Sequence, residues 1–321
     1  MSLWDEAEKI SLLGIEVYRY GFFVALGLLA AAVVICFLSW AKRCPRGTSP
    51  LLLFLSLILG GLCSRLGFCL MNQELGFMMP LSSWLRLSAG GWSMMTLIPG
   101  VLLAAWITAK ITGQRAGQTL DIASCALPTF IALERVGEGC IRDGGIPAFN
   151  YSRPLQSTFL NGTFLAFSDP YGEFCLATWR LAAIVAVVLL VALLIDQTRS
   201  KRHGDTCLLF LMLFGASSVI LESLRYDRFL SITFVGLEQV LAAVLMFSGI
   251  LGAALRAEKR WQPLGRAAVI SVFIAAGIAI GLEFALDRTT VSRILIYVVY
   301  VLVIFAPVVM GIRLRNQGME K

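Results

Sequence analysis

The chain has 321 residues, of which 58% are hydrophobic and 15% charged, where soluble domains carry about 25% charge. Several apolar stretches reach the roughly 20 residues that cross a bilayer. Together these exclude an ordinary soluble domain and predict an all-α polytopic membrane bundle.

Nine spans are expected, at roughly 16–39, 50–72, 92–110, 118–135, 176–196, 206–225, 231–254, 267–286 and 292–313. The fourth is the least hydrophobic and contains Pro128. The stretch after it, about 138–175, is the long connection and is rich in Gly, Pro, Asn and Ser. Spans 8 and 9 carry little polar content and read as packing or partner-binding helices.

Basic residues in short connectors orient such a bundle. Lys42, Arg43 and Arg46 follow span 1, Lys110 and Arg115 follow span 3, and Arg199, Lys201 and Arg202 follow span 5. Arg256, Lys259, Arg260 and Arg266 follow span 7, and Arg313, Arg315 and Lys321 follow span 9. Odd spans therefore exit to the cytoplasm, which puts the C-terminus inside and the N-terminus and the 138–175 loop outside. The net charge of +7 belongs to this pattern, so no nucleic-acid partner is expected. The opening residues lean acidic, and no cleavable signal is expected. A single histidine, His203, excludes a two-His metal site. No metal and no cofactor are expected. Five of the eight cysteines (Cys36, Cys63, Cys69, Cys125 and Cys207) stand in apolar stretches as small hydrophobes.

Arginines from five of the nine spans come to the outer half of the bilayer, and the cytoplasmic halves are nearly free of charge. At 1.5 Å per helical residue, Arg65 lies roughly 22 Å along span 2 and Arg135 roughly 25 Å along span 4. Arg19 and Tyr20 open span 1, Arg180 opens span 5 and Arg225 closes span 6. Glu134, Glu138, Glu222 and Glu238, with Gln239, reach the same outer layer. A charge at such depth is costly and marks a partner, substrate or pathway. Arginine holds phosphate through two parallel N–H bonds, so the layer suggests an anionic phospholipid site. The competing reading is structural ion pairing, since Arg135 and Glu138, like Glu222 and Arg225, are spaced i,i+3 on a helix.

In order along the chain, these residues resemble the prolipoprotein diacylglyceryl transferases of bacterial plasma membranes. Ile10 to Phe22 resembles an I-x-x-G segment leading into W-Y-G-L. Gly61 to Phe68 resembles G-G-R-x-G-Y, and Gly90 to Met94 resembles G-G-M-S-F. Leu133 to Gly137 resembles the signature L-G-R-x-G-N-F, with Glu138 in the place of its Asn. Leu221 to Asp227 resembles V-E-x-x-R-x-P/D, and Glu238-Gln239 falls at G-Q. The family's H-G-G-L-I-G becomes Met95-Thr96-Leu97-Ile98-Pro99-Gly100, without the His.

The resemblance implies a bundle over residues 1–255 with an outer head at about 138–175, followed by a C-terminal extension, 256–321. It also implies transfer of the diacylglyceryl group of phosphatidylglycerol to the lipobox cysteine of a prolipoprotein. Arg135 and Arg225 would neutralise the phosphate, and Glu222 would orient Arg225. Tyr20 and Arg65 would line the lipid cavity, as would Arg180, Glu134, Glu238 and Gln239. With the His absent, Glu138 or Glu134 would take the thiol proton. Two alternatives remain open: a non-catalytic or altered paralogue that binds an anionic phospholipid, and a transporter with a buried Arg/Glu site.

Overall fold

The computed structural model describes residues 9–12, 15–71, 84, 91–143, 146–147, 151–152, 162–168, 172–200, 202–225, 231–232, 235–288 and 292–317. Gly90, Lys201, Tyr226, Asp227 and Lys321, singled out above, lie outside them. Among the described residues, nine helices are long and apolar enough to cross a membrane. They are α1 Arg19–Ala41, α2 Thr48–Met71, α3 Met94–Thr112, α4 Ala116–Glu138 and α5 Thr178–Arg199. α6 Asp205–Leu224, α7 Leu237–Leu255, α8 Gln262–Arg288 and α9 Arg293–Asn316 complete the set. This is an all-α, multi-pass membrane protein, and each expected span has its helix within a few residues, α7 starting six later than expected.

Among the described residues, four two-stranded antiparallel hairpins interrupt the helical order: Lys9–Leu12 with Ile15–Tyr18, Arg142–Asp143 with Ile146–Pro147, Ala166–Ser168 with Phe174–Leu176, and Ser231–Ile232 with Val235–Gly236. All four fall before α1, between α4 and α5, or between α6 and α7. The connectors that follow the odd helices are short and basic.

Helix ends follow local chemistry. Ser93 caps α3 by accepting from the Thr96 N–H, and Gly113 closes it in the left-handed region at φ 68°. α2 carries one π turn at Ser56–Gly60, facing α3. Apolar side chains such as Leu29, Val33, Phe37 and Trp40 on α1 are exposed, as expected of a helix face that meets lipid tails.

The chain divides into two compact units. The first holds Met1–Val34, Ala126–Ala192 and Leu224–Arg228; the second holds Ile35–Cys125, Leu193–Ser223 and Phe229–Lys321. In the second unit α7, α8 and α9 pack on one another and α2 packs on α3. α6 is the most buried helix of the nine. It meets α7 through Gly215, where a Cβ would come within 2.5 Å of the Met246 backbone nitrogen and 2.7 Å of the Ala242 carbonyl. Small residues let membrane helices approach this closely.

Polar contacts tie the ends of the second unit's helices. Asp121 of α4 accepts from the backbone N–H groups of Gly204 (2.7 Å) and Cys207 (2.9 Å) at the start of α6. A carboxylate there satisfies donors that a helix N-terminus leaves orphaned. Arg315 of α9 ion-pairs with Asp196 of α5 and donates to the Asp205 carbonyl. Asp196 also accepts from Thr206 Oγ1 at 2.8 Å, and Arg256 pairs with Asp205 at 3.3 Å. Arg313 and Arg315, expected to follow span 9, lie inside α9, and Arg315 is buried. Its charge is matched by Asp196, so it stays within the fold.

Candidate active site

The first unit brings together the residues of the 132–140 stretch and the start of α1. The cause is local. Gly137 on α4 packs against α1, where a Cβ would stand 2.9 Å from Phe23 Cβ and 3.3 Å from the Tyr20 ring. That approach lets the Tyr20 hydroxyl donate to Glu134 Oε1 at 3.3 Å. Arg135 Nη1 donates to both oxygens of Glu138, at 2.8 and 2.7 Å, and its Nε lies 3.6 Å from Glu134 Oε2. Glu134 and Arg135 are 7% exposed. Arg225, which follows the last residue of α6, is 8% exposed and within electrostatic reach of Glu134. Arg135 thus forms a tight cluster with Glu134 and Glu138, and Arg225 acts on Glu134 electrostatically.

The rim is aromatic. Gly139 sits beneath Trp179, where a Cβ would come 2.7 Å from the indole ring. Arg180 stacks on Trp179 at 4.5 Å and on Phe164 at 4.7 Å, and donates to the Phe164 carbonyl. Two buried groups here have no hydrogen-bond partner among the described residues, Glu134 Oε2 and Trp179 Nε1. Buried polar groups are rarely left so, and a polar ligand would satisfy both kinds, acceptor and donor.

The remaining expected site residues lie in the second unit. Arg65 is buried and donates to the carbonyls of Trp84 (3.0 Å) and Gly91 (2.9 Å). Its neighbour Ser64 donates to the Ser93 carbonyl at 2.9 Å. Glu222 is buried in the last turn of α6, and Glu238 is half-buried in the first turn of α7. Gln239 is buried and donates through Nε2 to Val219 O (3.3 Å), Glu283 Oε1 (2.7 Å) and Tyr300 OH (2.7 Å). Tyr300 in turn donates to Glu283 Oε1 at 3.2 Å. Glu283 and Tyr300 belong to α8 and α9, whose interiors were expected to be almost wholly apolar. The signal that marks Glu283 is an ionisable residue inside an otherwise apolar span.

Residues 8–255 match the family model of the prolipoprotein diacylglyceryl transferases. The chain belongs to this family. No curated protein matches it. The match takes in seven of the nine membrane-length helices and every residue of the buried cluster, and it stops before α8. Membership makes the chain one of a transferase family that acts on prolipoproteins and lipid in membranes. Met95 is a buried side chain on α3.

Proposed function

We propose that the protein transfers a diacylglyceryl group from a membrane phospholipid to the lipobox cysteine thiol of prolipoproteins. Phosphatidylglycerol is the donor that family membership implies, and the bacterial plasma membrane is the site, with the N-terminus and the hairpins outside. The observation that carries this reading is the pair Arg135 and Arg225, two buried guanidinium groups in one unit of a membrane protein. Such a pair suits a phosphate in a low-dielectric setting.

In the proposed reaction the thiol proton passes to Glu138 or Glu134, since the thiolate is the nucleophile. The sulfur then attacks the glycerol carbon that bears the phosphate. A C–S bond forms, the C–O bond breaks, and the phosphate leaves with the electron pair, taking the proton back from the carboxylate. Negative charge grows on the leaving phosphate, and fixed cations at Arg135 and Arg225 lower the barrier for that step. Tyr20 orients Glu134 through its hydrogen bond. Arg180, in the same unit, is assigned to the surroundings of the lipid.

A second reading, a paralogue that binds the lipid without transfer, is favoured by two observations: Met95 stands in the region of the family's His, and Arg135 already carries Glu138. Complementation decides between them. In cells depleted of their own transferase, this chain should convert a lipobox precursor to its diacylglyceryl form, and Arg135→Ala or Arg225→Ala should abolish the mass shift while leaving membrane insertion intact. No mass shift from the inserted wild type favours the paralogue. A full shift from either arginine variant overturns the phosphate clamp.

A further inference from the structure

Glu134 is a carboxylate where the resembled signature has no side chain. In L-G-R-x-G-N-F its place is held by the first Gly, and here it is a 7% exposed acid inside α4. A charge at that depth is costly and is kept for a partner. The Tyr20 hydroxyl donates to Oε1 at 3.3 Å and fixes the rotation of the carboxyl group. Oε2 accepts no hydrogen bond among the described residues, and Arg135 Nε stands 3.6 Å from it. A buried carboxylate oxygen without a donor is rare and unfavourable. The same unit holds the complementary orphan, the buried donor Trp179 Nε1.

Phosphatidylglycerol carries both kinds of missing group. Its headgroup hydroxyls donate, and its phosphate and ester oxygens accept. The spacing suits it as well. A phosphate that meets Arg135 brings the first headgroup carbons beside the guanidinium, and the nearest hydroxyl stands two carbons from the phosphate ester oxygen. Oε2, 3.6 Å from Nε, is within that reach. A hydroxyl on Oε2 leaves the contacts of Glu138 with Nη1 in place. A hydrogen bond to an ionised acceptor is about twice as strong as a neutral one. We propose that Glu134 Oε2 accepts from a headgroup hydroxyl of the donor lipid, which makes Glu134 a specificity-determining residue for a hydroxylated headgroup. This rests on the reading that a lipid phosphate meets Arg135, and it names the feature of the headgroup that the site reads. With the hydroxyl on Glu134, the thiol proton falls to Glu138.

The test is native mass spectrometry of the full-length protein from nanodiscs holding equal amounts of phosphatidylglycerol and phosphatidylpropanol with matched acyl chains. The two lipids share charge and headgroup length and differ only in the hydroxyls. The wild type should retain phosphatidylglycerol in about tenfold excess, equivalent to about 1.4 kcal/mol. Glu134→Met and Glu134→Ala, which remove the acceptor by different side chains, should each bring the ratio close to even. A changed grip on the phosphate acts on both lipids alike and does not move the ratio. An even ratio in the wild type, as a water on Oε2 would give, overturns the inference. So does a ratio unmoved in either variant, or the retention of neither lipid. A parallel incubation with a lipobox precursor and phosphatidylglycerol separates this claim from transfer. An unmodified precursor beside an intact preference overturns transfer and leaves the headgroup assignment standing, and a modified precursor beside an even ratio does the reverse.

Discussion

Arg315→Met tests whether α9 is fastened by charge. Arg315 is 6% exposed and Asp196 is 7% exposed. The guanidinium also reaches the Asp205 carbonyl at 3.3 Å, and Asp196 also accepts from Thr206 Oγ1 at 2.8 Å. Removing one member of a buried pair costs about 3–5 kcal/mol because the other charge is stranded. Thr206 stays behind as a partial partner, so the lower end applies, about 3 kcal/mol. Removing both charges should be nearly harmless: Asp196→Leu with Arg315→Met should unfold within about 1 kcal/mol of the wild type, as replaced buried pairs often do. Unfolding by a denaturing detergent titrated into mixed micelles, followed by far-UV circular dichroism, supplies the four corners of a double-mutant cycle. With each single variant costing about 3 kcal/mol and the double about 1 kcal/mol, a coupling energy of about 5 kcal/mol is expected. If Arg315→Met costs under about 1 kcal/mol, or the double variant equals the sum of the singles, the pair carries no such energy and the reasoning fails.

Gly139→Ala should push its new methyl into the Trp179 ring, costing about 1–3 kcal/mol as overpacking does, and a changed Trp emission maximum in that variant checks it. Glu283→Leu removes the acceptor shared by Gln239 and Tyr300 and should cost more than Glu283→Gln, by about 1–3 kcal/mol for a stranded buried donor, measured in the same detergent titration. Orientation is checked in a cysteine-free background by labelling intact cells with an impermeant maleimide. Thr163→Cys should react from outside and Gly47→Cys only after permeabilisation. The reverse pattern would invert the assigned topology.

The spans were readable because a bilayer imposes its own length scale. Leu51 to Met71 or Ile294 to Met310 admits little besides a crossing helix. The pairing of Arg135 with Glu138 was equally readable, because i,i+3 spacing places the two on one face of α4. Other features were hidden for physical reasons. Asp121 and Asp196 sit at helix ends, where a charge looks solvated, and only the packed chain brings backbone N–H groups or Arg315 to them. The role of Glu283 depends on Gln239, 44 residues earlier, and no local pattern joins the two. The contact of Tyr20 with Glu134 spans 114 residues. It follows from the packing of Gly137 against α1, and a glycine in a helix does not announce which neighbour it admits.

The Asp121 contact also sets a clock for biogenesis. α4 is the least hydrophobic of the nine membrane-length helices, so it enters the bilayer with the smallest margin. Its carboxylate partners lie 83 and 86 residues further along the chain. At 5–20 residues per second that is roughly 4–17 s of translation. During that interval α4 has emerged and α6 has not, and the Asp121 carboxylate has water in place of the two amides. Slowing synthesis between residues 140 and 200 lengthens this exposure.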